Sequence, residues 1–242
     1  MRVVVTPDYE TLSEEAAAVV AKAMLATPAV TLGLPTGTTP IGMYEALIRK
    51  HRSEGLDFST VKTFNLDEYV GLSPHDPQSF RRYMQTRFFG QINVASKNTH
   101  IPDGAPGIDP AAEAGRYEKA INEAGGIDLL IVGVGNNGHV AFNEPGSPFD
   151  SRTRLVTLAP ETIQKVAKEF GRTKDIPNTA ITIGIGTILS ARRILMLASG
   201  AAKAEIVRRA LRGPVSEAVP ASALQLHSDV IAIVDESCAR GL

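Results

Sequence analysis

The sequence predicts an α/β protein built around a mostly parallel sheet. Short apolar runs, several of them rich in β-branched residues, alternate with longer segments whose apolar residues recur at helical spacing. Strands buried on both faces have this continuous apolar character, and parallel strands need helical crossovers between them. We therefore expect a three-layer, doubly wound sheet with helices on both faces, in a Rossmann-like arrangement.

In the first half of the chain, strands are predicted at three short apolar or β-branched runs, Arg2–Thr6, Val30–Leu34 and Val61–Asn65, with a further short strand within Lys97–Pro102. Helical spacing predicts helices at Tyr9–Ala26, from Pro40 to about Arg52, at Ser79–Phe89 and at Pro110–Ala124. Pro40 suits a first helical turn, and Gly125 suits the end of the last of these helices.

In the second half, strands are predicted at Ile127–Val134, Thr153–Leu158, Arg193–Ala198 and Val230–Val234. Helices are predicted at Pro160–Phe170 and Ser199–Arg212, and a loop at Gly171–Pro177. The segment Ala180–Ser190 is apolar and rich in Gly and Ile, and its pattern does not decide between strand and helix.

The length of 242 residues suits one α/β domain or two small ones, and the motif spacing favours a single domain over residues 1–242. The 43% of hydrophobic residues allows a sizeable core, and the net charge of −1 gives no reason to expect nucleic acid or an anionic membrane as a partner. Cys238 is the only cysteine, which excludes an internal disulfide and fits a reducing compartment. There is no signal-peptide pattern and no apolar run of membrane-spanning length, so we expect a cytoplasmic protein.

A glycine-rich turn, Val132–Gly146, follows the apolar run Ile127–Val134 and contains His139 and Glu144. Ligands bind at the carboxyl ends of strands in open α/β sheets, so two ionisable side chains at this point indicate a catalytic site. The alternative is a tight turn with a surface histidine.

The segments after two other predicted strands contain residue patterns that indicate binding or catalysis. The small residues of Pro35–Pro40 lie between a strand and a helix, which is how backbone N–H groups and a helix dipole are directed at an anion. Asp67 and Glu68 follow the strand Val61–Asn65, where carboxylates take part in chemistry. The alternatives are an ordinary connecting loop and two solvated acidic residues.

Three stretches match one family pattern in the right order. They are Leu32-Gly33-Leu34-Pro35-Thr36-Gly37, Phe64-Asn65-Leu66-Asp67-Glu68-Tyr69, and Gly135-Asn136-Asn137-Gly138-His139-Val140-Ala141-Phe142-Asn143-Glu144-Pro145-Gly146. With further matches at Ser151–Arg154, Ser199–Ala204 and Leu224–His227, the sequence resembles the glucosamine-6-phosphate deaminase family over nearly its whole length. The segment Phe142–Pro145 discriminates best, because broader relatives share the glycine turn but not this glutamate.

The resemblance implies conversion of D-glucosamine 6-phosphate and water to D-fructose 6-phosphate and ammonia, a step of amino-sugar catabolism. His139 matches the base that opens the sugar ring, Glu144 the carboxylate that assists it, and Asp67 the acceptor of the C2 proton, roles that suit these residue types. The residues that match the phosphate site are Thr36, Gly37, Thr38, Thr39 and Lys203. The chemistry needs no hydride carrier, and the sequence offers no cluster with metal-ligand spacing, so no cofactor and no metal are expected.

Three positions depart from the family pattern. Asn137 replaces an aspartate beside the ring-opening histidine; its carbonyl can still accept a hydrogen bond from an imidazole N–H, but it supplies no negative charge. Thr38 replaces the second glycine of the usual Thr-Gly-Gly-Thr loop, which raises the question of whether the backbone there needs a positive φ. Lys168 replaces an arginine that grips the phosphate, which keeps the charge but loses the bidentate fork, and Arg172 lies close enough in sequence to compensate.

The resemblance also bears on regulation and assembly. The chain stops soon after its last predicted strand, whereas allosteric hexameric members continue further. Val156 replaces a lysine of their effector site, although Arg154 matches a second effector-site residue. We expect little or no activation by N-acetylglucosamine 6-phosphate, and a monomer or small homo-oligomer.

Three alternative functions stay open at this point. A 6-phosphogluconolactonase has a similar fold and glycine turn, but it hydrolyses an ester and needs no C2 base. A deaminase for a related amino-sugar phosphate, such as the galactosamine epimer, needs only loop changes. A non-catalytic sugar-phosphate sensor is the alternative from another class, but a DNA-binding segment would normally accompany it, and none is recognisable.

Overall fold

The fold is organised around a seven-stranded parallel sheet with the order β1-β10-β9-β6-β2-β3-β5. The computed structural model describes residues 1–170 and 177–242, without the side chains of residues 165, 166 and 168–170. Numbered along the chain, these strands are β1 (Arg2–Thr6), β2 (Thr31–Leu34), β3 (Lys62–Asn65), β5 (Thr99–His100), β6 (Leu129–Gly133), β9 (Arg193–Ala198) and β10 (Val230–Asp235).

The helices are α1 (Tyr9–Ala26), α2 (Ile41–Glu54), α3 (Phe80–Arg87), α4 (Pro110–Glu123), α5 (Pro160–Phe170), α6 (Ile185–Leu189) and α7 (Ala204–Arg212). Asp8 caps α1 by accepting a hydrogen bond from the backbone N–H of Thr11, and Asp109 caps α4 in the same way. Among the described residues, no helix combines the length and the apolar character needed to cross a bilayer.

Helices cover both faces of the sheet, as the alternation of side chains along β6 demonstrates. Leu129 and Ile131 pack into a core shared with α1, α2 and α3, whereas Leu130 and Val132 pack into a second core shared with α4, α6 and α7. Neighbouring residues of a strand point to opposite faces, so a continuous apolar run is required to fill both cores. The predicted three-layer α/β architecture is confirmed.

A second sheet was not predicted, although the predicted strand Thr153–Leu158 is present and belongs to it. Its strands are β4 (Asp67–Tyr69), β7 (Arg154–Thr157) and β8 (Thr179–Thr182), and they pair antiparallel in the order β4-β8-β7. The backbone N–H of Ile183 donates to the carbonyl of Leu66, which joins this sheet to the end of β3. The segment whose pattern did not decide between strand and helix contains both, because β8 is followed directly by α6.

Predicted and observed boundaries differ most at the last helix. A 3₁₀ turn, Ala201–Lys203, precedes α7, which begins at Ala204 rather than at Ser199. Gly200 has φ 97° and ψ 142°, a conformation that no α-helix contains, so the helix cannot start earlier. The predicted helix Ser79–Phe89 likewise ends at Arg87. The predicted loop Gly171–Pro177 lies outside the described residues except for Pro177.

The direction of the chain reverses between β2 and β6, which are neighbours in the middle of the sheet. After β2 the chain continues to β3 and β5 on one side, and after β6 it continues to β9 and β10 on the other. The two connecting segments therefore diverge, and a crevice opens at the carboxyl ends of these strands. Residues 35–40 and 134–146 border that crevice.

Candidate active site

All predicted site residues except Lys168 follow the carboxyl ends of four adjacent strands, β9, β6, β2 and β3. Lys203 follows β9, the segment 137–144 follows β6, the loop 36–39 follows β2, and Asp67 follows β3. Neighbouring strands are about 4.8 Å apart, so four of them span roughly 15 Å. The segments that contain these residues therefore lie side by side at one edge of the sheet.

Backbone hydrogen bonds fix the shape of the turn that contains His139. The N–H of Gly135 donates to the carbonyl of His139 at 2.9 Å, and the N–H of Gly138 donates to the carbonyl of Gly135 at 2.9 Å. The imidazole ring folds back over Gly135: a Cβ atom there would lie 2.2 Å from His139 Nε2. Only glycine leaves space for the ring in this position.

Glu144 is the centre of a polar cluster formed by three other side chains. Asn137 Nδ2 donates to Glu144 Oε2 at 2.7 Å, and Thr162 Oγ1 donates to Glu144 Oε1 at 2.5 Å. His139 Nδ1 lies 3.5 Å from Glu144 Oε2, an ion-pair distance longer than a well-formed hydrogen bond, and has no closer partner among the described residues. A small movement on ligand binding would complete this contact.

The environment of Glu144 keeps its carboxyl group ionised. Partial burial acts to raise its pKa, but the contacts with His139, Thr162 and Asn137 outweigh burial and lower the pKa to about 2. The carboxylate is therefore available to stabilise a positive charge on His139 whenever that imidazole takes up a proton.

A buried asparagine supports the segment between His139 and Glu144. Asn143 is fully buried, and its Nδ2 donates to the carbonyls of Val140 and Ile183 at 2.9 Å each. Its Oδ1 accepts a hydrogen bond of 2.8 Å from Arg154, whose guanidinium also donates to Ser147. Because Asn143 precedes Glu144 directly, these bonds orient the carboxylate.

Asp67 is buried at the start of β4, with 6% of its surface exposed. Its carboxyl group accepts no hydrogen bond within the part of the chain that the structure describes, and both burial and the neighbouring Glu68 raise its pKa to about 8. Asp67 pairs with Thr182 of β8, and Thr182 Oγ1 accepts a hydrogen bond from the backbone N–H of Phe142. The second sheet thereby connects Asp67 with the turn that contains His139.

The carboxylate of Glu68 is held by hydrogen bonds from the backbone. Its carboxylate accepts hydrogen bonds from the backbone N–H groups of Tyr69, Phe80 and Arg81, each at 2.9 Å. Two of these donors lie in the first turn of α3, so Glu68 anchors that helix to β4. Burial raises its pKa to about 6, and the three N–H donors oppose that rise.

The loop after β2 lies beside Lys203, as expected for a phosphate site. Lys203 Nζ donates to Thr39 Oγ1 at 3.3 Å, although the two residues are 164 positions apart. Thr36 and Thr39 are partly exposed, and Gly37 and Thr38 are exposed. Hydroxyl groups, backbone N–H groups and one ammonium group thus lie together where α2 begins.

Lys168 lies in α5, but its side chain is outside the described residues, and so is Arg172. Sequence reasoning missed Thr162, Thr182 and the support that Asn143 provides. An N-terminal threonine in a helix and a polar residue in a short strand are common, so no pattern distinguishes them. Only the contacts they make 18 to 40 residues away identify them.

Comparison with known proteins places this arrangement in a family. A family model described as glucosamine-6-phosphate isomerases/6-phosphogluconolactonase matches residues 7–232. The chain belongs to the glucosamine-6-phosphate isomerase/6-phosphogluconolactonase family. The family resemblance expected from the three strand-end segments is confirmed.

Two similar relatives within this family are named glucosamine-6-phosphate deaminases. The chain is 50% identical to the glucosamine-6-phosphate deaminase of Bacillus velezensis, with all of both chains covered. It is 47% identical to that of Hahella chejuensis, covering 100% of this chain and 92% of the relative. A solved structure described as a monomeric glucosamine-6-phosphate deaminase matches with a TM-score of 0.96, at 47% identity and with 99% of each chain covered.

The lactonase branch of the family shares the fold at much lower identity. A 6-phosphogluconolactonase from Trypanosoma cruzi matches with a TM-score of 0.78 at 19% identity, covering 100% of this chain and 96% of that chain. This likeness shows a common architecture alone.

Two departures from the family pattern have a structural explanation. At Asn137, the amide oxygen accepts from the backbone N–H of His139 at 3.1 Å rather than from the imidazole, and the amide nitrogen donates to Glu144. An aspartate there would place a second negative charge against Glu144. At Thr38, φ is not positive; the positive φ of 104° belongs to Gly37, so threonine fits the loop.

We predict that Gly135→Ala lowers turnover by about 10-fold to 100-fold while the protein stays folded. The added methyl group would displace the His139 ring, a mobile side chain, and misplacement of a catalytic group by about 1 Å costs up to about 100-fold. Gly133→Ala is the matched control, because a Cβ at Gly133 has no atom within 4 Å among the described residues. Equal activity of the two variants, at equal melting temperature, would contradict the prediction.

We predict that Thr162→Val lowers kcat by about threefold to tenfold, whereas Thr162→Ser retains activity. Valine has the same shape but no donor for Glu144 Oε1. Loss of that donor raises the pKa of Glu144, so the acidic limb of the pH–rate profile moves to higher pH. A Val variant with an unchanged profile would show that this hydrogen bond does not matter for Glu144.

Proposed function

We propose that the chain is a glucosamine-6-phosphate deaminase that converts D-glucosamine 6-phosphate and water to D-fructose 6-phosphate and ammonia. The observation that supports this most directly is the buried Asp67, which has a raised pKa and no hydrogen-bond donor among the described residues. It follows β3, which only β2 separates from β6, the strand that leads to His139 and Glu144. Ester hydrolysis removes no proton from carbon and so needs no base at C2, whereas a 1,2-proton shift requires one.

In the first step, the cyclic sugar opens as a proton moves from O1 to the ring oxygen O5. His139 is proposed to carry this proton, because an imidazole both accepts and donates protons near neutral pH. Glu144, ionised and 3.5 Å from His139 Nδ1, stabilises the imidazolium form. Asn137 and Thr162 hold Glu144 in place.

In the second step, Asp67 takes the proton from C2 and returns it to C1 through an enediol-type intermediate, which is an enolamine because C2 bears the amino group. A proton of the ammonium group passes to O1 in the same step. The C2–N bond then has iminium character, water adds at C2, and the amine leaves as ammonia. The shielded position of Asp67 makes its carboxylate a stronger base than an exposed aspartate and protects the transferred proton from exchange with solvent.

The phosphate group of the substrate is proposed to bind Thr36, Gly37, Thr38, Thr39 and Lys203, with Lys168 as a second cation. Support comes from the contact between Lys203 and Thr39 beside the first turn of α2. The proposal includes a small-molecule substrate, no nucleic-acid or membrane partner, and a cytoplasmic location. The similar solved structure described as monomeric favours a monomer over a small homo-oligomer.

The first experiment measures ammonia release from glucosamine 6-phosphate and, separately, from galactosamine 6-phosphate. Hydrolysis of a 6-phosphogluconolactone is measured in parallel. We expect release from the glucosamine compound, and a loss of at least about 1,000-fold in Asp67→Asn, because the amide cannot accept the C2 proton. Activity on the lactone alone, or an Asp67→Asn variant with near-normal release, would overturn the proposal.

We predict that Asp67→Asn also stabilises the folded protein at alkaline pH. The folded-state pKa of about 8 exceeds the value of about 3.9 expected in the unfolded chain, so the folded state binds the proton more tightly. The stability contributed by the neutral carboxyl group is complete below about pH 4 and is lost as pH rises through about 8. The melting-temperature difference between variant and parent should grow by roughly 4 °C or more from about pH 5 to about pH 9.

We predict hyperbolic kinetics that N-acetylglucosamine 6-phosphate does not alter. Val156 supplies no cation, and the guanidinium of Arg154 is already bonded to Asn143 and Ser147. The check is the rate curve with and without that compound. A sigmoidal curve that becomes hyperbolic on its addition would contradict this expectation.

A further inference from the structure

Three tyrosine hydroxyl groups bind the carbonyl oxygens of the loop between β2 and α2. Tyr44 Oη donates to the carbonyl of Pro35 and Tyr83 Oη donates to the carbonyl of Gly37, both at 2.6 Å. Tyr9 Oη donates to the carbonyls of Thr38 and Thr39, at 3.2 and 3.1 Å. These tyrosines come from α2, α3 and α1 respectively, so three helices hold one short loop.

The hydroxyl groups of Tyr9 and Tyr83 already form hydrogen bonds within the protein. Tyr9 Oη also accepts a hydrogen bond of 2.9 Å from the backbone N–H of Gly42, so it both donates and accepts. The single proton of Tyr83 is directed at Gly37, and burial raises the pKa of Tyr83, which keeps that proton in place. Neither hydroxyl is arranged to donate to a phosphate directly.

Fixing these carbonyl groups also fixes the N–H groups of the loop. In a trans peptide unit the C=O and the N–H of the next residue point in opposite directions, and the described residues contain no cis peptide bond. The carbonyls held by Tyr44, Tyr83 and Tyr9 therefore turn the N–H groups of Thr36, Thr38 and Thr39 away from the tyrosines. Pro40, which follows the last of these carbonyls, has no N–H.

The N–H groups turned outward are free to bind an anion. Within residues 1–170 and 177–242, the N–H groups of Thr36, Thr38 and Thr39 donate to no acceptor. The ammonium group of Lys203 lies beside Thr39. Phosphate oxygens bind such sets of backbone donors and a nearby cation.

We propose that Tyr9 and Tyr83 are positioning residues that preorganise the loop 36–39 for the phosphate group of the substrate without touching it. Their hydroxyl groups hold the loop carbonyls away from the anion, so the N–H groups do not have to reorganise when phosphate binds. The inference rests on the proposed function, because it assigns this loop to the phosphate. It adds two residues that belong to neither the loop nor the catalytic cluster.

The test compares Tyr9→Phe, Tyr83→Phe and the double variant with the parent protein. Phenylalanine keeps the ring and removes only the hydroxyl. We expect each single change to raise KM for glucosamine 6-phosphate, and the inhibition constant of inorganic phosphate, by about threefold to tenfold, with kcat changed less than about twofold. Tyr117→Phe is the matched control, because its hydroxyl donates to the carbonyls of Asn65 and His100, outside the loop; it should leave phosphate inhibition unchanged.

Unchanged phosphate inhibition in the double variant would overturn the proposal, and so would a loss of kcat without a change in phosphate affinity. An equal loss of phosphate affinity in Tyr117→Phe would also overturn it, since the effect would then be a general loss of rigidity. If the parent protein releases no ammonia, the proposed function fails, but titration of the same variants with inorganic phosphate, followed by calorimetry, still decides whether the tyrosines position the loop.

Discussion

The pairing of β6 with β2 in the middle of the sheet determines where the functional residues lie. Leu32 and Gly33 of β2 align with Leu129 and Leu130 of β6, although nearly one hundred residues separate the two strands. This pairing places the loop 36–39 and the turn 134–146 side by side at one edge. The remaining site residues follow from it, because β3 and β9 flank these two strands and deliver Asp67 and Lys203 to the same edge.

Two carboxyl groups of the site have opposite environments. Asp67 is enclosed by the second sheet without hydrogen-bond donors in the described part of the chain, and its pKa rises to about 8. Glu144 is surrounded by donors from Asn137 and Thr162, and its pKa falls to about 2. One carboxyl group is thereby suited to exchanging a proton and the other to remaining a fixed negative charge. Such divergent pKa values are how a site divides its roles between residues of the same chemical type.

The sequence was sufficient to predict the helices and strands that fill the two cores. Runs such as Arg193–Ala198 must be apolar to face both layers, and the apolar residues of Tyr9–Ala26 recur at helical spacing, so both elements were predicted with their observed bounds. The second sheet was not predictable, because three residues after β3 are too few to display a period. Lys203 and Thr39 were predicted to meet and do so, but through the family resemblance rather than through any local pattern.

Contacts between distant polar side chains were beyond sequence reasoning. Thr162, Tyr9 and Tyr83 each lie on a helix face where the same residue types are usually solvated or packed. Their hydrogen-bond partners are 18 to 46 positions away, and such contacts produce no periodic pattern in the sequence. They became recognisable only once the sheet had fixed which segments are neighbours.

The adjacency of Asp67 and Glu68 has a consequence for the accuracy of folding. Successive residues of a strand point to opposite sides, so a slip of β4 by one residue along β8 would exchange the two carboxyl groups. The slipped strand would present the longer glutamate in place of Asp67, the proposed proton acceptor, and would leave the first turn of α3 without its anchor. The two donors from α3, the backbone N–H groups of Phe80 and Arg81, reach Glu68 only in the native register. The bonds that anchor α3 therefore also favour the register that places Asp67, the proposed proton acceptor, at its observed position.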